Sequence, residues 1–262
     1  MADARSIARN GLDSLLSAGA HKAQCRAILA ARHEMNLELG EITLLRTTFD
    51  TSVRLTAIRD YKKGSSSINK SDAASIQQAA HEVLAIADAS APDEAYDIAE
   101  RQPTKEFSAG HDSPDLDKMH VRIKEFLGEV ESRYPQVRIM QSYVDFTRQS
   151  ECFVNSNGVD FVSNNGVYHC VFMFSSKEGD KVSSFNYTGC SLRDLEKDFL
   201  DSALLDTLLR QSVEQIYARP LQGKFVGDVV ITPQCFMDVL YFLTESISDS
   251  ALIGETSIYK DK

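Results

Sequence analysis

Two His-Glu pairs, at His33 in RHEMN and at His81 in HEVLAIA, are the first feature of the sequence that could support catalysis. A metallopeptidase helix combines such a pair with a second histidine about one turn further on, so that both imidazoles hold zinc. Neither His33 nor His81 has a histidine four or five residues later. We therefore interpret both pairs as partly exposed polar residues, one at a strand edge and one on an amphipathic helix.

A second candidate is a nucleophilic dyad of His169 and Cys170, which are adjacent in VYHCVFMF. This stretch predicts a strand, and successive side chains of a strand point to opposite faces of the sheet, so the two residues cannot pair with each other. We expect Cys170 to be buried and to act as a small hydrophobic residue. We expect His169 to be a structural histidine of the sheet whose ring nitrogens have hydrogen-bond partners. A cysteine-dependent hydrolase that uses Cys170 or Cys190 stays open as one hypothesis, beside the two that are given at the end of this section.

A metal site and the common loop motifs are poorly supported. His111 and His120 flank the acidic segment HDSPDLDKMH, which holds suitable ligand types but no recurring spacing that fixes a coordination geometry. We predict a solvated helix start there. The sequence contains no GxGxxG, GxxxxGK[ST] or GxSxG motif, so phosphate-loop and serine-hydrolase functions are unsupported.

The composition is that of a globular protein with an acidic surface. The 262 residues are 43% hydrophobic, and 28 Lys+Arg against 38 Asp+Glu give a net charge of −10, which disfavours binding to nucleic acid or anionic lipid. The N-terminus lacks the apolar core of a signal peptide, and Asp238 interrupts the apolar stretch CFMDVLYFL, so we expect a cytoplasmic protein. Five scattered cysteines without a CxxC pair indicate reduced thiols.

Hydrophobic periodicity predicts an α+β fold in which antiparallel β-meanders are flanked by helices. Helices are expected at residues 3–18, 71–90 (with Ser71 as N-cap), 119–134, 204–216 and 234–246. Strands are expected in QCRAILAARHEMNLEL, ITLLRTTF, TSVRLTAIRD, VRIMQSYVDFTRQ, SECFVNS, VDFVS, VYHCVFMFSS, KVSSFNYTG and GKFVGDVVITP. We predict an N-terminal subdomain (1–104), a central subdomain (105–222) and the start of a truncated C-terminal domain (223–262), with a loop or linker near the first boundary.

Two Asn-Gly pairs lie eight residues apart in ECFVNSNGVDFVSNNGVYH. Asn-Gly favours a two-residue hairpin turn because both residues tolerate positive φ. A ligand-binding glycine loop would usually precede a helix N-terminus, whereas strands follow here. NSNG and NNG are therefore predicted to be two hairpin turns.

Several stretches, taken in order, resemble the TldD/PmbA family, whose members are also called peptide maturation proteins or modulators of DNA gyrase. They are ELGEITLLRTTFDTSVRLTAIRDYKKGSSSIN, PDEAYDIA, FVNSNG, GKFVGDVVITP and the ending SALIGETSIYKDK. The resemblance covers nearly all of the chain. Since family members continue well past this point, it implies the N-terminal region of such a protein, and we expect a fragment.

The resemblance also implies a division of labour between two kinds of subunit. The TldD-like subunit carries a zinc-binding HExxxH in the helix after the strand equivalent to GDVVITP, and the PmbA-like (TldE) subunit lacks it. An ungapped alignment from Val229 places Tyr241, Phe242 and Ser246 at the positions of the two histidines and the glutamate. None can hold zinc or act as the base. The chain is therefore expected to be PmbA-like, with no catalytic residue, metal ligand or cofactor of its own, and with zinc in a TldD-like partner.

The leading hypothesis is that the chain is the non-zinc subunit of a TldD/TldE-type metallopeptidase complex that processes or degrades unfolded peptides. It would shape a cavity and admit the peptide as a strand paired to a sheet edge. The alternative is a stand-alone, non-enzymatic peptide-binding module derived from this family. Neither hypothesis involves direct binding to nucleic acid or a membrane, and the sequence does not identify the substrate-binding residues.

Overall fold

The computed structural model describes residues 3–220, 222–224 and 226–260. Contacts divide the chain into two compact units, the first ending at Ala218 and the second beginning at Arg219. The first unit contains all of the strands found among the described residues. The second consists of two helices and the segments that join them.

In the described part of the first unit, nine strands form one sheet. Its order is β3-β2-β1-β6-β7-β4, with β5, β8 and β9 also paired to β7. The pairings are antiparallel except for β4, which runs parallel to β7. The strands are β1 (Lys22–Glu38), β2 (Glu41–Arg59), β3 (Lys62–Ile68), β4 (Lys105–Ala109), β5 (Val137–Ile139), β6 (Ser142–Asn155), β7 (Asp160–Glu178), β8 (Lys181–Val182) and β9 (Asn186–Leu192).

Helices pack on one face of this sheet in two groups. In the first unit they are α1 (Ala4–Ser17), α2 (Ala73–Ala89), α3 (Leu116–Arg133), a 3-10 turn (Phe199–Asp201) and α4 (Leu205–Gln215). The first two cover a core that includes Cys25 and Leu55, and the others cover a core that includes Met35 and Phe172. Both cores use the odd-numbered residues of β1, so the helices lie on the same side of the sheet.

The helices begin and end where local chemistry directs. The Asp3 side chain accepts the Ser6 amide at the start of α1, and the Asp115 side chain accepts the Lys118 amide at the start of α3. The N-cap of α2 is Asp72, whose carboxylate accepts the Ser75 amide at 2.9 Å. The prediction of Ser71 as the cap was wrong by one residue, because the carboxylate one position later reaches the free amides of the first turn.

The predicted α+β class with antiparallel strands is confirmed. Two of the strands are longer than the sequence indicated: ITLLRTTF and TSVRLTAIRD form one strand, β2, and VDFVS and VYHCVFMFSS form one strand, β7. The sheet also runs across residue 104, since β1 pairs with β6 from Gln24 to Leu37. The division into subdomains at 104 and 222 stays a prediction about domains.

The first of the two Asn-Gly turns is confirmed. NSNG connects β6 to β7, with Gly158 at φ 91°. The Asn155 side chain accepts the amides of Asn157 and Val159, which fixes the loop from within. Glycine is required at this turn because an L-residue rarely adopts that φ.

The second predicted turn was wrong, because Asn164, Asn165 and Gly166 lie inside β7. The glycine is explained by a tertiary contact. A Cβ on Gly166 would lie 1.9 Å from the His111 carbonyl oxygen and 2.8 Å from Cζ of Phe146. The segment after β4 crosses the strand at this point, and a glycine within a strand often marks such a close approach of backbone.

A third expectation, a strand in GKFVGDVVITP, was also wrong. Residues 222–224 and 226–232 form no strand in the described structure, and Phe225 lies outside the described residues. A strand needs a neighbour for its backbone groups, and the described part of the second unit supplies none. Val226, Val229 and Val230 are correspondingly exposed.

The second unit contains α5 (Pro233–Ser246) and α6 (Asp249–Ile253). Pro233 occupies the first turn of α5, where its missing N–H costs nothing. The Ser257 hydroxyl donates to the Ser246 carbonyl and ties the following segment to the end of α5. Within the described residues, no helix combines the length and apolar character needed to cross a membrane.

Adding a methyl group at Gly166 should destabilise the fold. Gly166→Ala should lower the free energy of unfolding by about 1–3 kcal/mol, since a backbone carbonyl must move. Gly128→Ala is the matched control: Gly128 lies within α3, and apart from its own stretch of helix no atom lies within 4 Å of the added Cβ. It should instead stabilise by up to about 1 kcal/mol through helix propensity. Urea unfolding monitored by circular dichroism measures both, and equal effects would contradict the explanation.

Candidate functional site

One edge of the sheet is unpaired over much of its length. Strand β3 pairs with β2 only from Val53 to Arg59, whereas β2 begins at Glu41. No strand in the described structure lies beside the outer side of β2 from residue 41 to residue 52, which we call the open edge. An unpaired strand edge offers a row of free N–H and C=O groups to which another extended chain can pair.

From Leu45 to Thr51, the odd-numbered residues of β2 direct their backbone groups towards the open edge. The Ile58 carbonyl accepts the His21 amide, on the β1 side, and strand residues alternate in the side to which their backbone groups point. The Leu55 carbonyl accepts from the Ser65 hydroxyl of β3, on the other side, at 3.1 Å. By the same alternation, the residues whose backbone groups face the open edge are Leu45, Thr47, Phe49 and Thr51.

Apolar side chains accompany these backbone groups. Phe49 is 79% exposed and Leu45 is 62% exposed, although both lie on the helix-bearing face of the sheet. They are exposed because α2 packs over the part of β2 beyond Val53 and α3 packs over the opposite end of β1. A strand pairing with the open edge would cover both.

A polar groove lies at the end of the open edge, where β3 diverges from β2. It has a volume of about 520 Å³ and is lined by the last residues of β3, the first turns of α2 and residues Thr51 and Ser52 of β2. Lys70 and Glu82 supply its charged groups. The groove could receive a polar side chain of a bound peptide.

A second candidate is a group of charged residues on the sheet face opposite the helices. Asp145 is buried and accepts hydrogen bonds from Arg32 at 2.8 Å, Thr147 at 3.0 Å and the Nδ1 side of His169 at 3.2 Å. Such a set of donors satisfies both carboxylate oxygens. We call Arg32, Glu34, Arg46, Asp145 and His169 the polar cluster.

The polar cluster is continued across β1 and β2 by Glu34, which is also buried. Its carboxylate contacts Arg32 at 2.9 Å and Arg46 at 3.0 Å. Partial burial by itself would lower the pKa of Arg32. The hydrogen bond and charge of Asp145, together with the charge of Glu34, outweigh this effect, so the pKa lies above its usual value. The cluster is therefore an internally neutralised network that fixes the polar face.

A cavity of about 650 Å³ lies above the polar cluster. Arg32, Tyr143, His169 and Gly189 contribute to its lining, and the Arg32 guanidinium stacks over the Tyr143 ring with 5.3 Å to the centroid. His169 is bonded to Asp145, as expected for a satisfied histidine of the sheet. The polar cluster therefore fixes side chains that line the cavity.

The three zinc-motif positions lie together on α5. Tyr241 and Phe242 are exposed, and the Ser246 hydroxyl donates to the Phe242 carbonyl at 2.8 Å. These side chains do not fit zinc: a phenol and a hydroxyl already bonded to backbone are poor ligands, and a phenyl ring has no donor atom. Among the described residues, no group of three or more histidine, cysteine or acidic side chains could hold a metal.

The other histidines named from the sequence lie apart from one another. His33 lies in β1, which is paired on both sides, so its expected position at a strand edge was wrong; it contacts the Thr47 hydroxyl at 3.0 Å. His81 is exposed on α2. His111 and His120 are exposed on either side of the start of α3. The structure therefore separates the two His-Glu pairs and places the acidic segment at a solvated helix start.

His169 and Cys170 lie on opposite faces of β7, as expected. Cys170 is fully buried against the helices, whereas the His169 side chain is 39% exposed on the other face. Among the hydrogen bonds of the described residues, none joins a histidine to a cysteine. The hypothesis of a cysteine-dependent hydrolase gains no support from this geometry.

Comparison with protein families matches residues 30–87 to PmbA/TldA metallopeptidase domain 1. Over these residues, the resemblance to the TldD/PmbA family is confirmed. The matched stretch includes all of β2 and β3, so the open edge lies within the matched residues. Comparison with curated proteins gives no match.

Solved structures confirm the TldE-like fold. TldE from Thermococcus kodakarensis is similar with a TM-score of 0.67 and 14% identity, covering 97% of this chain and 58% of its own. A candidate modulator of DNA gyrase from Bacteroides thetaiotaomicron has a TM-score of 0.71 and 17% identity, covering 98% and 60%. A similarly described protein from Thermotoga maritima has a TM-score of 0.55 and 12% identity, covering 80% and 47%. The chain thus spans about three-fifths of the first two relatives.

The sequence did not single out Arg32, Glu34 and Asp145. A signal was present, since polar residues recur at alternate positions of β1 opposite the buried Cys25 and Met35. Which strands lie beside β1, and therefore which charges meet, depends on the pairing of residues more than 100 positions apart.

The polar cluster predicts unequal costs for removing two arginines from the same strand face. Arg32→Ala should lower the free energy of unfolding by about 3 kcal/mol, because buried Asp145 and Glu34 lose their shared cation. Arg26→Ala removes the more exposed pair with Glu151 and should cost no more than about 1 kcal/mol. Urea unfolding of the two variants tests this, and equal losses would contradict the assignment.

Proposed function

We propose that this chain is a PmbA/TldE-type subunit that presents unfolded peptides to a zinc-bearing, TldD-like subunit in a cytoplasmic metallopeptidase complex. The observation that carries the proposal is the open edge of β2, which lies within the matched family domain. Its free backbone groups can pair with an extended chain of any sequence. Recognition through the backbone suits a substrate class defined by being unfolded.

Charge and side chains support a tolerant rather than selective site. Leu45 and Phe49 give the peptide an apolar contact, while the groove beside Lys70 and Glu82 accepts polar groups of either sign. Main-chain hydrogen bonds would supply the common affinity, and alternate side chains would meet the two faces of the sheet. The polar cluster would hold β1 and β6 rigid behind the open edge.

Hydrolysis, in this proposal, belongs to the partner. Tyr241, Phe242 and Ser246 supply neither zinc ligands nor a base, so the chain contributes binding and positioning. Zinc is accordingly proposed for the TldD-like subunit alone.

The complex is tested by an omission experiment. A TldD-like protein from the same genome is assayed on a fluorescently labelled, unstructured casein peptide with and without this chain. We expect cleavage to require both proteins and to be unchanged by Tyr241→Ala in this chain. Equal cleavage without the chain would refute the subunit role. Retained peptide binding without any gain in cleavage would favour the stand-alone binding module instead.

The peptide-binding edge is tested by removing one backbone donor. Thr47→Pro deletes an N–H that faces the open edge and leaves the ladder to β1 in place, so the fold should persist. We expect affinity for the casein peptide, measured by fluorescence anisotropy, to fall about tenfold or more, as for lost main-chain hydrogen bonds.

Two control variants make this result specific. Thr47→Val keeps the N–H but removes the hydroxyl that contacts His33, and it should bind normally. Tyr187→Pro places the same change in β9, at the opposite edge of the sheet, and should also bind normally. Loss of binding in Tyr187→Pro with normal binding in Thr47→Pro would move the peptide to the β9 edge and contradict the assignment.

A further inference from the structure

Cys170 and Cys190 lie directly opposite each other in the antiparallel pair of β7 and β9. The Met173 carbonyl accepts the Met140 amide, so odd-numbered residues of β7 point their backbone groups away from β9 and even-numbered residues point towards it. The two cysteines are therefore a hydrogen-bonded pair, for which the Cα separation is about 5.5 Å. That value lies inside the range of about 4.4–6.8 Å that a disulfide spans.

The two thiols differ in their access to solvent. Cys170 is fully buried in the core formed with α3 and α4, whereas Cys190 is only partly buried. Cys190 lies on β9, which has no further strand beside it among the described residues. A small reagent can therefore approach Cys190 from the edge of the sheet, whereas Cys170 is shielded in the core.

The contact also shifts the pKa values of the two thiols in opposite directions. Interaction with the Cys170 thiol lowers the pKa of Cys190 to about 7 against the opposing effect of burial. The same interaction, together with burial, raises the pKa of Cys170. The ionisable groups beside this pair on the other face of the sheet are Arg32, Asp145 and His169, and Asp145 is hydrogen-bonded to both of the others.

The chain contains three internal comparisons. Cys25 and Cys152 are a second neighbouring pair, but both are fully buried, and burial raises their pKa to about 12 and about 11. Cys235 is exposed on α5. Cys235 is thus an exposed thiol without the paired geometry, and Cys25 and Cys152 are neighbouring thiols without exposure. Cys190 combines exposure with a neighbouring thiol.

We propose that Cys190 and Cys170 form a peroxide-reactive dithiol site in which Cys190 is oxidised first and Cys170 then converts the product to a cross-strand disulfide. In the first step the Cys190 thiolate attacks one oxygen of hydrogen peroxide. An S–O bond forms, the O–O bond breaks, and the departing hydroxide takes a proton and leaves as water. The sulfur is oxidised to a sulfenic acid and the peroxide is reduced.

In the second step the Cys170 sulfur attacks the Cys190 sulfur. An S–S bond forms, the S–O bond breaks, and the departing hydroxide leaves as water with the proton from Cys170. The product covalently ties the edge strand β9 to β7. Cellular thiols can reverse it by exchange, so the site is a reversible modification site.

The test is residue-resolved oxidation of the full chain. Reduced protein is treated with stoichiometric hydrogen peroxide at pH 7, blocked with iodoacetamide and mapped by mass spectrometry without reduction. We expect a Cys170–Cys190 disulfide as the first product, with Cys25 and Cys152 still reduced. Oxidation confined to Cys235, or a random set of products, would overturn the proposal.

Variants separate the two roles. Cys170→Ser should stop the reaction at a Cys190 sulfenic acid, trapped by a dimedone reagent, and Cys25→Ser should leave the disulfide unchanged. Cys170→Ala removes the donor beside Cys190 and should slow its alkylation at pH 7 roughly fivefold, from the smaller thiolate fraction offset by greater nucleophilicity. An unchanged alkylation rate in Cys170→Ala, with native circular dichroism, would refute the activating contact.

Discussion

The structure depends on the double pairing of β1. This strand is bonded to β2 on one side and to β6 on the other along most of its length. Because its odd-numbered residues reach both helical cores, a one-residue slip would expose Cys25 and Met35 together and would separate Arg32 from Asp145. The two cores and the polar cluster are therefore fixed by one register.

The same constraint explains why a long edge is left unpaired. Strand β2 must extend as far as β1 to satisfy its partner, whereas β3 ends at Ile68 so that α2 can return over the sheet. The backbone of β2 between residues 44 and 52 is therefore paired to β1 without a register shift but has a free outer side. A rigid, pre-formed edge loses little entropy when a peptide pairs with it, which favours binding.

Much of the fold could be predicted from local chemistry, and the errors have a common cause. The helices and the NSNG turn follow from periodicity, capping and positive φ, which are properties of neighbouring residues. NNG carries the same local signal, but Gly166 is set by a backbone crossing from the segment after β4. The polar cluster and the open edge depend on which strands meet, so the sequence indicated polar alternation in β1 without identifying Asp145 as its partner.

Amide hydrogen exchange along β2, measured by NMR with and without the casein peptide, tests the central claim most directly. In the free chain, the amides of Leu45, Thr47 and Phe49 should exchange faster than those of Arg46 and Thr48, whose N–H groups bond to β1. On peptide binding, exchange should slow at the fast, odd-numbered positions and change little at the others. Equal protection of both sets in the free chain, or slowing confined to β9, would contradict it.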